Sequence, residues 1–428
     1  MGSLAAIFRN RRILVVFLLG FASGLPYFLT GSTLSAWMTT AHVKLTTIGF
    51  LSWIGFAYTF KPLWAPVVDR YQLPLLGRRR GWLLLFQILL ALAIVALGAV
   101  GPRLELGAPS LQQLEIVVAA AVLVAFLSAS QDIVIDAYRT DLLDPEERPL
   151  GAAASVLGYR IGMLSSGGGA LILSDHVAWR TVYAIMAALV LIGIATTVLL
   201  APEPVADRPP RTLADAVVAP LVDYFKRPGA VMLLFVIALM GFGDHLARTL
   251  TTPFLLTIGY TRSEVGEVTK IFGVVASITG TLAGGMLIAR FRLSRMMLVF
   301  GALQPLGAAC YGLIAIYGKS HGLLFLAVAT DNVTTAMVAA SIDTFAMSLC
   351  RKRYSATQFA LLMAASSVAG RFVGGGAGWF AERFGWPAFF FGSILFCVPA
   401  LILVSVRRRA IESAYAGTDV AAEAASAA

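Results

Sequence analysis

The chain has 428 residues, of which 58% are apolar and only 13% charged, about half the charge of an ordinary soluble domain, so no separate soluble domain is expected. Its net charge of +10 would suit a nucleic-acid partner, but the cations alternate between loops and leave no continuous basic face, so that class is set aside. Three cysteines (Cys310, Cys350 and Cys397) and four scattered histidines lack any ligand spacing, so no metal, cofactor or disulfide framework is expected.

Apolar runs of about 20 residues recur from end to end, each long enough to cross a hydrocarbon core of roughly 30 Å. About twelve are read, at 13–38, 47–68, 81–101, 114–138, 150–174, 179–200, 230–258, 264–289, 294–316, 322–350, 355–381 and 386–406. In lipid each must be a helix, because no water is present to satisfy exposed backbone groups. The first run has a basic flank like a signal peptide, but it continues too far and lacks a clear cleavage site, so it is read as a retained span.

Arginine and lysine gather in alternate loops. The clusters are Arg9, Arg11 and Arg12; Arg70 and Arg78 to Arg80; Arg148; Arg208, Arg211, Lys226 and Arg227; Arg290, Arg292 and Arg295; Arg351 to Arg353; and Arg407 to Arg409. Intervening loops hold isolated cations only. This positive-inside pattern predicts a multi-pass membrane protein with both termini cytoplasmic and an even number of spans.

Residues 1–200 and 230–409 are expected to form two six-helix bundles, joined by a polar, Pro-rich cytoplasmic linker at 201–229. Residues 212–225 of that linker have the pattern of a short amphipathic surface helix. A cytoplasmic tail, disordered beyond its first turn, is expected at 410–428. The two bundles repeat each other. Gly167 to Ala170 matches Gly374 to Ala377, Trp179 matches Trp386, Asp136 matches Asp343 and Asp175 falls in step with Glu382, all at a constant offset of 207. Parallel six-helix repeats describe the major facilitator architecture, an all-α membrane fold with substrate between its halves.

Embedded charge obeys the same period. The third, sixth, ninth and twelfth spans carry none, with Arg180 and Arg295 only at their ends. Lys61, Asp132, Asp136 and Arg160 lie in the second, fourth and fifth spans; Asp244, His245, Arg248, Lys270, Asp331, Asp343 and Arg371 lie in the seventh, eighth, tenth and eleventh. A charge at the bilayer centre costs roughly 2.5–3.5 kcal/mol on insertion scales, so such residues mark a protein-enclosed path. Asp132, Asp136 and Arg139 share one helix face by spacing, a set able to take up and release a proton. Asp244 is the corresponding candidate in the second half, with His245 beside it. Tyr27 and Tyr58, at polar interruptions, are the aromatic candidates for stacking on a sugar ring. Asp69, Arg70, Arg78 and Arg79, with Arg290 in the counterpart loop, are read as a cytoplasmic gate.

Gly20 to Tyr27, Tyr58 to Pro66, Gly77 to Trp82, Ser130 to Ala137 and Ser355 to Leu362 together resemble AmpG-type anhydromuropeptide permeases, with similarity from about residue 10 to 405. Several of these motifs also occur in related acetyl-coenzyme A transporters. The resemblance implies proton-coupled import of N-acetylglucosaminyl-anhydro-N-acetylmuramyl peptides from periplasm to cytoplasm, for peptidoglycan recycling and, in many bacteria, β-lactamase induction. Residues matching the family's functional motifs are Tyr27, Lys61, Gln131, Asp132, Asp136, Asp244 and Lys270. For such a ligand, Lys61, Arg160 and Arg371 suit the carboxylates, Asp132 or Asp136 the ammonium, and Gln131 and Gln358 the amides. Some members carry extra helices; the short linker here predicts the twelve-helix core alone.

Partners expected are therefore the small-molecule muropeptide, protons and the lipid bilayer, with the chain a monomer. Two other readings stand beside this one: a carrier of another anionic amphiphile such as a drug or acyl-coenzyme A, and a signalling or scaffold protein that keeps the fold without turnover. No nucleophile and base occur in a recognisable arrangement, so an enzyme is not expected.

Overall fold

Every regular element among the described residues is helical, as a lipid-embedded chain requires when each backbone amide must be satisfied within its own segment. The computed structural model describes residues 10–416 except 66–67, 69–70, 72, 74–75, 103–108, 144–146, 204–218, 227–228, 241 and 350–354. Nine helical stretches among these are long and apolar enough to cross a membrane. Of the other expected spans, Leu45–Phe60 and Ala230–Met240 are shorter apolar helices, the latter bounded by residue 241 outside the described residues, and Leu361–Val406 runs through two. Within that last stretch the helix breaks at Gly385, whose φ of 78° is in the left-handed region that glycine tolerates, two residues before Pro387.

Contacts divide the chain into two units. Unit 1 is Met1–Lys44, Ile54–Pro209 and Tyr260–Lys270; unit 2 is Leu45–Trp53, Pro210–Gly259 and Ile271–Ala428.

The main helices of unit 1 are α1 (Arg11–Leu29), α2 (Arg78–Val100), α3 (Leu111–Leu142), α4 (Arg148–Leu164) and α5 (Trp179–Ala195). Asn10 starts α1 by accepting from the Arg12 amide at 2.9 Å. The pairing of α1 with α4 rests on reciprocal glycines. A Cβ on Gly20 or Gly24 would strike the Ser155 and Tyr159 carbonyls, and one on Gly158 or Gly162 would strike those of Phe17 and Phe21. Small residues four apart on both helices let the backbones touch, which is how helices associate where lipid removes the hydrophobic drive.

Unit 2 is built on α6 (Ala219–Phe225), α7 (Ala230–Met240), α8 (Phe242–Thr249), α9 (Gly273–Arg290), α10 (Leu293–Leu303), α11 (His321–Ser348), α12 (Ser355–Leu395), α13 (Val398–Val406) and α14 (Arg408–Ala416). Its core gathers Ile237, Met297, Phe300, Phe345 and Val404, with Ile411 fully buried among them. Of the linker helix expected at 212–225, only α6 lies within the described residues; it docks through the Tyr224 hydroxyl, which donates to the Ala230 carbonyl at 3.0 Å. Of the tail at 410–428, residues 410–416 are described and belong to α14, where Ile411 gives the helix an apolar face to bury.

The internal repeat extends to packing. In unit 1 Trp37 stacks on Trp179 with ring centres 5.7 Å apart and meets Tyr183 at 5.0 Å. In unit 2 Phe254 meets Trp386 at 5.1 Å and Phe390 at 4.7 Å. Tyr183 and Phe390 keep the spacing already seen between the two tryptophans. The triple glycines are used alike too: Gly168 lies against Gly266 in unit 1, and Gly374 and Gly375 lie against Gly49 in unit 2.

Candidate functional site

In unit 1 the polar residues of α3 converge on α1. Gln131 is fully buried, and its Nε2 donates to the Ala22 carbonyl at 3.0 Å. The next residue, Asp132, is 9% exposed and accepts from the Ser23 hydroxyl at 2.5 Å. Consecutive residues of α1 thus hold consecutive residues of α3. One turn further on, Asp136 is open; it meets Lys61 Nζ at 3.7 Å and Arg139 Nη2 at 3.3 Å. The two expected carboxylates therefore differ sharply in environment: Asp132 is sealed and hydrogen-bonded, whereas Asp136 is accessible and flanked by cations.

Around them lies an incompletely satisfied polar lining. Among the described residues the Gln131 Oε1 and Thr59 hydroxyl are buried without a hydrogen-bond partner, and the Tyr58 hydroxyl approaches Ser128 and Thr30 without a bond of good geometry to either. Burying an amide or hydroxyl unpaired costs about 1–3 kcal/mol in protein mutational data, so groups left this way suit a ligand or water. Tyr27 packs edge-on against Tyr58 at 5.7 Å. Lys270, also in unit 1, places its ammonium 4.6 Å from the Phe28 ring centre, and Arg160 is exposed. The structure thus brings Tyr27, Tyr58, Lys61, Gln131, Asp132 and Asp136 into one neighbourhood.

The candidates of unit 2 are more dispersed. His245 on α8 packs against the Gly370 backbone, where a Cβ would collide with the imidazole. Arg248, one turn on, meets Asp331 of α11 at 3.8 Å. Arg371 is tied to the start of the unit: its Nη1 reaches the Ser52 carbonyl at 3.4 Å, its own carbonyl accepts from Trp53 Nε1 at 3.0 Å, and its buried Nε has no partner among the described residues. Gln358 is fully buried and donates to Asp223 of the linker helix α6 at 2.9 Å, so its amide serves a structural bond here. The side chain of Asp244 lies outside the described residues.

The gate candidates behave unevenly. Asp69 and Arg70 lie outside the described residues, as does the Arg78 side chain, and Arg290 is exposed. Arg79 is buried and pairs with Asp141 at 2.8 Å, while Glu203 accepts from the Arg79 and Arg80 amides at 3.0 and 3.3 Å, capping the start of α2. Arg80 and Arg11 donate to the carbonyls of Val198 and Leu200 at 3.1 and 3.0 Å, where a π-helical turn ends the span begun by α5. Cations at a helix C-terminus also complement its dipole. Asp141 and Glu203 were not singled out from sequence, and nothing in the sequence alone marks them.

Another carboxylate network sits at the opposite end of unit 1. Asp175 accepts from Arg262 Nε and the Ser263 amide, each at 2.7 Å, and from the Ser263 hydroxyl at 2.6 Å. Partial burial pushes the Asp175 carboxyl upward, but these bonds hold the ionised form more strongly and leave it below the usual carboxylate range. Among the described residues no group of three or more His, Cys, Asp or Glu side chains could hold a metal.

The family model of the Major Facilitator Superfamily matches residues 16–375. The anhydromuropeptide permease of Escherichia coli is 49% identical over 409 residues, covering 95% of this chain and 82% of that protein. A putative transporter AmpG 4 of Rickettsia felis is 32% identical, with 93% of this chain and 97% of that one covered. Among solved structures, the nucleoside transporter NupG superposes with a TM-score of 0.75 at 16% identity, covering 93% of this chain and 99% of that one. The POT family transporter PepTSo gives 0.74 at 11% identity, covering 94% and 98%. At such identities the structural likeness speaks for the fold alone.

Proposed function

Since the chain belongs to the anhydromuropeptide permease family of the Major Facilitator Superfamily, we propose that it imports anhydromuropeptides across the bacterial inner membrane together with protons. It is a multi-pass membrane transporter and not an enzyme. The 49% identity to the Escherichia coli permease over 95% of the chain carries the substrate assignment. We further propose twelve spans, both termini in the cytoplasm, and import for peptidoglycan recycling.

In this reading Asp132 is the proton carrier. It is the sealed carboxylate, one oxygen held by Ser23, and an ion at membrane depth is retained only where something compensates it. Protonation removes the charge, so the carboxyl can cross between solvent exposures without desolvating an ion. Asp136, open and flanked by Lys61 and Arg139, meets the charged peptide portion of the substrate. The cations Lys61 and Lys270 take substrate carboxylates, Gln131 Oε1 takes an amide N–H, and the Tyr27–Tyr58 pair offers aromatic faces to the sugars.

The test is uptake of labelled N-acetylglucosaminyl-anhydro-N-acetylmuramyl tripeptide by proteoliposomes under an inward proton gradient. Accumulation that a protonophore abolishes is expected, and Asp132→Asn should reduce it to the level of empty vesicles while keeping substrate binding within about tenfold. Unchanged gradient-driven accumulation by Asp132→Asn would remove the residue from coupling. Folded wild-type protein that binds but never accumulates the tripeptide would refute the transport assignment.

A further inference from the structure

Six arginines collect at one end of unit 2, where two helices begin. Arg290 closes α9, Arg292 and Arg295 stand at the start of α10, and Arg407, Arg408 and Arg409 join α13 to α14. All six are exposed, and none forms an ion pair with a described residue. Packing of α14 on α10 brings the two sets together. The Ser294 amide fastens them by donating to Glu412 Oε1 at 2.9 Å, and Ile411 is fully buried beside it. Glu412 is the sole acid in the segments that carry the six cations, and its carboxylate is engaged by that amide.

This arrangement runs against local electrostatics. Arg292 caps α10 and Arg295 lies in its first turn, while Arg408 and Arg409 open α14, so four guanidiniums sit at the positive ends of helix dipoles. Membrane orientation alone would be served as well by cations at helix C-termini, where the dipole welcomes them. The six charges and the two dipoles both favour an anion beside them. What adjoins the patch indicates which kind: Phe291, Ile402 and Val406 are 43%, 58% and 71% exposed, an apolar strip leading from α13 to the arginines.

We infer that this patch is a binding site for the headgroup of an anionic phospholipid, its phosphate held among the arginines and its acyl chains laid along α13. Arginine forks match phosphate oxygens in a bidentate manner, and the juxtaposition of phosphate-binding groups with a lipid-facing strip fits a lipid rather than a free anion. Each basic residue near an anionic membrane surface adds about fivefold to its affinity.

The full-length protein in detergent micelles is titrated with cardiolipin, phosphatidylglycerol or phosphatidylcholine, with retained lipid read by native mass spectrometry and protection by thermal unfolding. Cardiolipin and phosphatidylglycerol should be retained at least about tenfold better than phosphatidylcholine. The triple variant R292Q/R408Q/R409Q should lose on the order of a hundredfold in anionic-lipid affinity. Should that variant not fold, R292K/R408K/R409K decides: it keeps the charge that orients the chain but loses the forks, and a severalfold loss is expected. Equal retention of the zwitterionic lipid, undiminished anionic-lipid binding in the folded variant, or equal protection by inorganic phosphate would each overturn the assignment.

Discussion

Three carboxylates of unit 1 are each held by different means, and the difference governs what each can do. Asp132 has one hydroxyl partner in a buried setting, Asp136 has two cations and access to solvent, and Asp175 has a guanidinium, an amide and a hydroxyl. Asp175 is the one whose charge is locked, so it makes a stability prediction with a definite sign. Its folded carboxyl titrates below the ordinary value, so its stabilisation is fully present above the unfolded value of about 3.9 and disappears as pH falls through the lower folded one. Replacing it by Asn should cost on the order of 1 kcal/mol at neutral pH, discounted for its partial exposure. The variant and the wild type should then converge as pH falls through the lowered folded value. Thermal unfolding of both from about pH 2.5 to 7 checks this; a gap that stays constant across the range contradicts it. Asp132 and Asp136 were legible in the sequence because ionised residues inside an apolar run are costly. Ser23 as the partner of Asp132 was not, since the bond joins residues 109 positions apart and depends on how two helices are registered.

At the scale of elements, that registration comes from glycine. The α1–α4 crossing brings backbone against backbone at Gly20, Gly24, Gly158 and Gly162, and α1 in turn presents Ala22 and Ser23 to α3. Gly158→Val should push α1 off α4, since the new side chain meets the Phe17 carbonyl and Phe21 amide, which cannot rotate away. Overpacking of this kind costs about 1–3 kcal/mol. Gly285→Ala in α9 is the matched control, because nothing lies within 4 Å of the added carbon, and in a helix it should be neutral or stabilising by up to about 1 kcal/mol. Thermal midpoints in detergent, with tripeptide uptake beside them, measure both; equal tolerance at the two positions would deny the glycines their role as spacers. Helix positions followed hydropathy well, whereas helix ends did not. The 3-10 turn at Leu51–Gly55, the π-helical turns at Ser165–Gly169 and Thr196–Leu200 and the break at Gly385 arise from packing and backbone geometry that a hydropathy window averages away. Gln358 illustrates the same limit at the site: its chemistry suits a substrate amide, but the linker helix occupies it through Asp223.

For the molecule as a whole, the repeat was readable because it fell on rare or geometrically demanding residues, tryptophan and consecutive glycines, and the structure uses both members of each pair alike. Orientation rests on a different signal, the uneven loop charge. The proposed twelve spans, with the arginine-rich loops inside, would place both ends of the chain in the cytoplasm. A green fluorescent protein fused after Ala428 should therefore fluoresce, and alkaline phosphatase at the same point should be inactive, because the one folds inside the cell and the other matures only outside the inner membrane. The same two reporters fused within the loop that contains Lys319, between the helix Pro305–Tyr317 and α11, should give the opposite result. Agreement at both points requires an odd number of crossings between Lys319 and the C-terminus, which α11 and the two spans divided at Gly385 supply as three, whereas one undivided span after α11 gives two. If both positions report the same side, the stretch Leu361–Val406 crosses once, as one tilted helix, and the parallel six-helix repeat loses its last member.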